Sequence, residues 1–265
     1  MSLEEFERQW SQGRRQQAID SLRATLDIKH DPAPLEEAAH RILALTAGAP
    51  NNYDNTVEQA LRLAIDFLQR AHRGPSQRLW EASMALSYYF EKTQLPAQEL
   101  QAAQQSMAIA EQLQDERPRL LSLARLAKLS LAQEDYSAAL KPWQEILAAF
   151  ESSDRKTRRH LPNPYTPLLR IYKNLGRLDE AIAVAKRRAS ISAAEAPSIE
   201  HAVHLEELAD LVLSSEGLAE AVELLQRAAL NVAQSEGEAH HYYLRLRRKV
   251  VGLAGGLGDA SEEPK

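Results

Sequence analysis

The chain has 265 residues, is 44% hydrophobic and 26% charged, and carries a formal net charge of −5. That balance suits a folded, water-exposed protein and gives no general attraction to nucleic acid or anionic membrane. No stretch approaches the ~18 uninterrupted apolar residues of a membrane span, and with no cysteine, disulfides, thiolate zinc sites and thiol catalysis are excluded.

The opening MSLEEFERQW is acidic and amphipathic, unlike a basic-then-apolar export signal, so cytoplasmic residence is the default expectation. Helical apolar spacing predicts helices over 3–12 and 15–28, with Gly13 between them, then 33–47 and 55–73. A further pair, 76–93 and 97–114, turns at TQLPAQ. Better-patterned pairs follow at 117–133 with 136–151, 164–175 with 178–195, and 199–215 with 218–235. Pro142 falls inside one of these and should kink it or mark a later start. The connection SSDRKTRRHLPNP is unusually long. A last helix over about 238–252 would cover the exposed apolar side of the final pair. Its YYLRLRRKV mixes apolar and basic residues, as a solvent-facing cap should. The tail from Gly255, GGLGDASEEPK, has the composition of a disordered segment. Only 10 glycines and no long alternating run argue against a large sheet.

One stretch, KNLGRLDEAIAVAKRRA (173–189), explains the rest. Leu168, Tyr172 and Leu175 precede Gly176 at helical spacing, and Leu178, Ala181, Ile182 and Ala185 follow it. A glycine takes the left-handed conformation that ends a helix at little steric cost. Asp179 and Glu180 suit the positive end of the next helix. Ala181, five residues after Gly176, is the expected crossing point, where only a small side chain lets two backbones approach. The pattern recurs. Gly13 precedes Ala18 by five residues and Glu134 precedes Ala139 by five. Gly217 sits one position late before Ala221, a fainter copy has Ala60, and another lies near Ala102 or Ala103. The clear alanines, Ala18, Ala60, Ala139, Ala181 and Ala221, are separated by 42, 79, 42 and 40 residues, and the 79 is close to two units. A period of this size points to a solenoid of helix pairs.

The unit resembles a tetratricopeptide repeat (TPR). The matching residues are Leu168, Leu169, Tyr172, Gly176, Ala181 and Ala185 in the best copy. Leu205, Leu208, Ala209, Val212, Ala221, Leu225 and Ala228 match in the next, and Leu123, Leu126, Ala127, Ala139 and Trp143 in the one before. The resemblance covers about 120–236 well and the first 115 residues loosely. The usual unit is about 34 residues; these run nearer 40, like the stretched repeats of kinesin light chain and of peptide-sensing bacterial regulators. The resemblance implies an all-α, right-handed superhelical solenoid of antiparallel helix pairs. Its organisation would be degenerate pairs over 1–115, three clearer repeats over 116–236, a capping helix over 237–253 and a disordered tail over 254–265.

In TPR proteins the first helix of each pair lines a concave groove that binds peptides. Carried onto this chain, the groove residues are Arg125 and Lys128 in one unit, Arg170, Lys173 and Asn174 in the next, and Glu206, Glu207 and Asp210 after that. Arg125 with Lys128, and Arg170 with Lys173, are i,i+3 pairs that share a helical face. Two stacked basic faces would suit carboxylates or phosphates. Asn174 could hydrogen-bond an extended backbone, and the acidic unit would favour a basic residue further along the ligand. The competing reading is solvated surface charge. The lysine-asparagine pattern of chaperone-tail carboxylate clamps is not reproduced.

Other constellations point less sharply. His201 and His204 are i,i+3 with Glu207 three further on, a face that could hold a metal, but no second helix offers a further ligand. DRKTRRH (154–160) could touch an acidic partner or simply be a solvated loop. Trp80, Met84, Leu86, Tyr88, Tyr89 and Phe90 cover too many helical faces to be only a groove lining, and read as core. No glycine-rich phosphate loop follows a strand. The expectation is therefore a non-catalytic adaptor that needs no cofactor and binds a peptide or helix of a partner protein, one with an acidic or C-terminal carboxylate segment. A structural or self-associating subunit, and a peptide- or small-ligand-sensing regulator, are the alternatives.

Overall fold

In a computed structural model of the chain, residues 2–26, 32–47, 53–72, 74–193, 196–215 and 217–259 are described. Among them all regular structure is helical. The helices are α1 Leu3–Ser11, α2 Arg15–Leu26, α3 Pro32–Ala47, α4 Asn55–Ala71, α5 Gln77–Lys92, α6 Pro96–Leu113 and α7 Glu116–Ala132. They continue as α8 Tyr136–Ser152, α9 Arg155–Arg158, α10 Tyr165–Asn174, α11 Leu178–Ala193, α12 Ile199–Ser214, α13 Leu218–Glu236 and α14 His241–Asp259. The chain forms two compact units: Met1–Asp135 with Ala149–Pro162, and Tyr136–Ala148 with Asn163–Lys265.

Within the first unit each helix from α1 to α7 packs on a sequence neighbour, and α1 on α3, α3 on α5 and α2 on α4 add next-but-one contacts. Within the second, α10 to α14 pack in sequence order. Packing only on near sequence neighbours is the mark of stacked helical hairpins. The turns show the repeat more plainly than the sequence does. Gly13, Gln94, Glu134 and Gly176 all have φ between 58° and 78°. At each, the following amide donates to the carbonyl five residues back: Arg14 to Gln9, Leu95 to Phe90, Asp135 to Ser130 and Arg177 to Tyr172, all at 2.9 Å. This is the six-to-one bond of the Schellman C-cap, which satisfies carbonyls that the ending helix leaves open. Glycine fills the left-handed position twice, and Gln94 and Glu134 hold it at a cost of about 1–2 kcal/mol each. Gly217 is glycine for another reason. A Cβ there would lie 2.5 Å from Cγ1 of Val212 and 3.0 Å from its carbonyl oxygen.

Helix starts follow the same economy of local bonds. The side chains of Ser2, Asp54, Ser76, Asp115 and Ser198 accept backbone N–H groups of α1, α4, α5, α7 and α12. Past the starts, Ala18, Ala60, Ala103, Ala139, Ala181 and Ala221 are all fully buried at 0% exposure. The faint copy near Ala102 or Ala103 is thereby centred on Ala103, since Ala102 keeps slight exposure.

The structure departs from the expectations at identifiable points. α8 starts at Tyr136, so Pro142 lies within the helix rather than before a later start. The long connection contains one helical turn, α9, whose start is capped by Asp154 accepting the Thr157 amide at 2.7 Å. α14 runs to Asp259, so the segment from Gly255, expected to be disordered, begins as helix. Tyr88, placed in the core with its neighbours, is 43% exposed while Trp80, Met84, Leu86, Tyr89 and Phe90 are buried. Predicted helical residues 27, 28, 73, 194 and 195, and the tail from 260, lie outside the described residues.

Candidate functional site

The second unit carries four of the six residues expected there in a ligand-facing role, Lys173, Glu206, Glu207 and Asp210, into a network of its own charges. Glu206 on α12 accepts hydrogen bonds from three residues of α14: the Tyr242 hydroxyl at 2.9 Å, Arg245 at 2.6 Å and Lys249 at 3.0 Å. Lys249 also reaches Asp210 at 2.6 Å. Glu206 with Asp210 and Arg245 with Lys249 are both i,i+4 pairs, so the two helices present matching ladders of opposite charge. Burial opposes the charge on Lys249, but the hydrogen bonds it donates to Asp210 and Glu206, with their negative charges, outweigh it and hold the ammonium above its ordinary range. Burial, and then the Glu206 hydrogen bond and charge, push the Tyr242 phenol far up. Glu207 accepts Arg188 of α11 at 2.7 Å and Lys173 of α10 at 3.3 Å. Asn174 donates its amide to the Arg170 carbonyl at 2.8 Å, closing its own helix rather than facing outward as a free donor. Arg170 is exposed on the same helix, its guanidinium carbon 5.8 Å from the Tyr136 ring centroid.

Beside this network lies a cleft of about 400 Å³. Tyr172, Lys173, Gly176 and Leu178 form it from the α10–α11 turn, and Asp210, Leu211 and Ser214 from the end of α12. Leu178 and Leu211 give it apolar walls, with Lys173 and Asp210 as opposite charges on its rim. Of the expected groove residues, the structure thus brings Lys173 and Asp210 to one cleft and ties Glu206 beneath α14.

Arg125 and Lys128 belong to the first unit, and they differ. Lys128 is exposed and makes no ion pair among the described residues. Arg125, expected on a ligand-facing surface, is only 2% exposed. Its guanidinium bonds Glu99 and Glu91 at 2.8 Å each, the Ser87 hydroxyl at 3.0 Å and the Ser87 carbonyl at 2.8 Å. It also stacks 4.4 Å from the Tyr88 ring centroid. Burial raises the Glu99 carboxyl above its usual range, against the pull of Arg125. The reason is geometric: Arg125 points back toward α5 and α6, where Ser87 and Glu99 leave room and acceptors for it.

The histidine pair does not face solvent. His201 and His204 are buried, and the Nδ1 atoms of both lie on one hydroxyl, Ser192 Oγ, at 2.8 and 3.0 Å. Burial lowers both, His204 to about 4, with Arg188 adding to the effect there and Arg227 at His201. Two neutral rings bridged by a hydroxyl form a packed polar contact between α11 and α12. No cluster of three metal-ligating side chains occurs among the described residues.

Arg188, Tyr242 and Lys249 of the charge network were not singled out in sequence, and Arg245 entered only as part of the basic capping helix. The signal for two of them was present. RLRRK offers cations at i,i+4, matching the i,i+4 acids of EELAD, and complementary ladders on helices two apart in a hairpin stack are expected to meet.

No family model matches this chain, and no curated protein matches it. Solved structures do. A kinesin light chain from Podosopora anserina with nearly identical TPR-like repeats is 17% identical, over 79% of this chain and 99% of its own, with a TM-score of 0.59. BtubC (BKLC) from P. vanneervenii is 16% identical over 89% and 93%, with a TM-score of 0.64. A Rap protein complexed with Competence and Sporulation Factor is 16% identical over 96% and 74%, with a TM-score of 0.52. At these identities the likeness is one of fold, and together with the recurring turns and buried alanines it establishes that this chain is a TPR-like array of helical repeats.

Proposed function

We propose that the chain is a non-catalytic interaction module whose second unit binds a peptide or helical segment of a partner protein at α10 and the cleft beside it. The observation that carries this is the juxtaposition of exposed Arg170 and Lys173 with the apolar-walled cleft of Leu178 and Leu211. The relative crystallised with Competence and Sporulation Factor supports ligand binding by an array of this fold. The ligand is a segment with an acidic side chain or a C-terminal carboxylate. Lys173 can turn to such a carboxylate because Glu207 retains Arg188 at the shorter distance. Asp210 at the opposite rim favours a basic residue further along. Glu206 takes no part in contact, since three donors already occupy it, and Arg125 takes none because it is buried. No helix among the described residues is long and apolar enough to cross a membrane; the cytoplasm is the proposed place of action.

Selection from a peptide library with free C-termini tests this. Acidic peptides should be enriched, and the Arg170→Glu/Lys173→Glu variant should bind the selected peptides at least about tenfold more weakly, about 1.4 kcal/mol, with an unchanged melting curve. Binding should fall as salt rises. Lys128→Glu, on the first unit, shows whether that unit also contributes. Unchanged affinity in the double variant, or selection of basic peptides, would refute the reading.

A second reading rests on its own observation. Leu244 and Val251 are exposed on α14, at 43% and 67%. A self-associating subunit would cover them, and sedimentation of the chain alone at rising concentration would show the oligomer.

A further inference from the structure

The first unit contains a second cleft that the interaction reading does not use. It has a volume of about 390 Å³ and is walled by α3, α4 and α5. Its lining is apolar apart from tyrosine hydroxyls, Thr46 and one charge, Lys92. Leu43, Val57 and Leu61 supply aliphatic side chains to the lining, and Tyr53, Tyr88 and Tyr89 aromatic ones. Tyr53 and Tyr88 are two of the few large apolar side chains that the fold leaves exposed, and both sit here.

The walls are held in place from behind. Arg125 is buried, bonded to Glu91, Glu99 and Ser87, and stacked against Tyr88 at 4.4 Å. Tyr89 donates its hydroxyl to the Asp54 carbonyl at 3.2 Å, and Tyr53 is tilted against Tyr89 at 6.3 Å between ring centroids. A site whose side chains are already fixed loses less entropy on binding.

The polar inventory narrows the occupant. Thr46 already donates to the carbonyls of Ile42 and Leu43. The hydroxyls of Tyr53 and Tyr88 and the ammonium of Lys92 have no partner among the described residues. Among the described residues no asparagine, glutamine or arginine lines the cleft, so an extended peptide would find few acceptors or donors there for its amides, at a penalty per group. An occupant that satisfies the lining has an apolar body and one anionic end. Three tyrosines favour an aromatic body, through offset or edge-to-face contact. The volume lies at the lower end of small-ligand sites, and the one charge among the described lining residues, Lys92, is positive.

We propose that this cleft binds a small aromatic monocarboxylate, its ring against Tyr53 and Tyr88 and its carboxylate on Lys92. The probe is 2-naphthoate, with 2-naphthalenemethanol as its neutral counterpart, titrated calorimetrically into the full chain. Naphthoate should bind saturably at one site, at least about fivefold more tightly than the alcohol. Lys92→Gln, at the exposed end of α5, should bring the acid down to the alcohol's affinity and leave the alcohol unchanged. Tyr88→Ala should weaken both, and its circular dichroism spectrum checks that it remains folded. Equal affinities for acid and alcohol, an unaffected Lys92→Gln variant, or no saturable binding would overturn the proposal. So would a Tyr88-dependent affinity for an apolar peptide in a protein that leaves naphthoate unbound, since the cleft would then be a partner groove.

Discussion

Arg125→Met tests the buried ion network of the first unit. The substitution keeps an aliphatic chain of similar length and removes the guanidinium. The contact with Glu91 is half-exposed on the acid's side, with 44% of that side chain open, so its loss contributes about 0–1 kcal/mol. Glu99 is different: its side chain is 12% exposed and Arg125 is its only ion-pair partner among the described residues. Removing one member of a buried pair typically costs about 3–5 kcal/mol. Glu99 can escape part of that by taking up a proton, because burial already raises its carboxyl. The low end, about 3 kcal/mol, is the expected loss. For a unit of roughly 150 residues that lowers the melting transition by about 6–12 °C. The sign of the pH dependence follows. A carboxyl whose folded value is raised above the unfolded one loses stability as pH rises through the folded value. The Arg125→Met deficit should therefore be larger at pH 8 than at pH 5. The double variant Arg125→Met/Glu99→Leu replaces the pair with apolar groups and should recover to within about 1 kcal/mol of the parent. Thermal unfolding by circular dichroism measures all three. A single variant that melts with the parent, or a double variant no better than the single, would refute this account.

Two further outcomes follow from the second unit. Ala181→Leu should lower stability by roughly 1–3 kcal/mol because Ala181 has no exposed surface at its helix crossing, whereas Ala193→Leu, exposed near the end of α11, should change little; equal melting temperatures for the two would contradict the crossing. The His201–Ser192–His204 contact should make stability pH-dependent. Both rings titrate below 6.5 in the folded state, His204 at about 4, so their contribution is complete above 6.5 and is lost as pH falls toward 4, by about 2–3 kcal/mol for His204 at pH 4.5. Arg188 and Arg227 face the pair with positive charge, and Glu200 and Glu207 with negative. Chemical denaturation between pH 7 and pH 4.5 should show the slope, and His204→Gln should flatten it.

The helices and their crossing points were legible because they depend on local, periodic signals. Apolar spacing placed each long helix but the last to within a few residues, and the alanine repeat found buried positions correctly. The turn residues were legible where glycine marks them, at Gly13 and Gly176, and legible only by alignment with these at Glu134, where no side-chain chemistry announces a left-handed backbone. The candidate site was less legible. An i,i+3 rule says which residues share a face, but not which way that face's long side chains turn. Arg125 was assigned outward by its register, yet it reaches back to Ser87 and Glu99, a pairing 38 residues away in one case and set by the packing of α5 and α6. His201 and His204 were read only as a face that could hold a metal, because nothing in one helix's sequence reveals that Ser192 of the preceding helix offers them a hydroxyl.

The fate of the acidic face of α12 shows why register alone could not give a binding surface. Glu206, Glu207 and Asp210 form one negative cluster, and a cluster left facing water between packed helices repels itself. The array relieves this internally, with Lys249 and Arg245 on one side and Arg188 and Lys173 on the other. Each cation so engaged is less available to a ligand, and the depth of engagement ranks them. Arg188 is mostly buried and Lys249 is shared by two acids, whereas Lys173 is 43% exposed, has the longest of these contacts and stands on a cleft. A carboxylate from outside competes most easily for Lys173, because its departure leaves Glu207 still paired. The same logic assigns α14 a structural role: its basic ladder closes the acid face of the last hairpin, so substituting Lys249 should loosen α14 before it alters any ligand affinity.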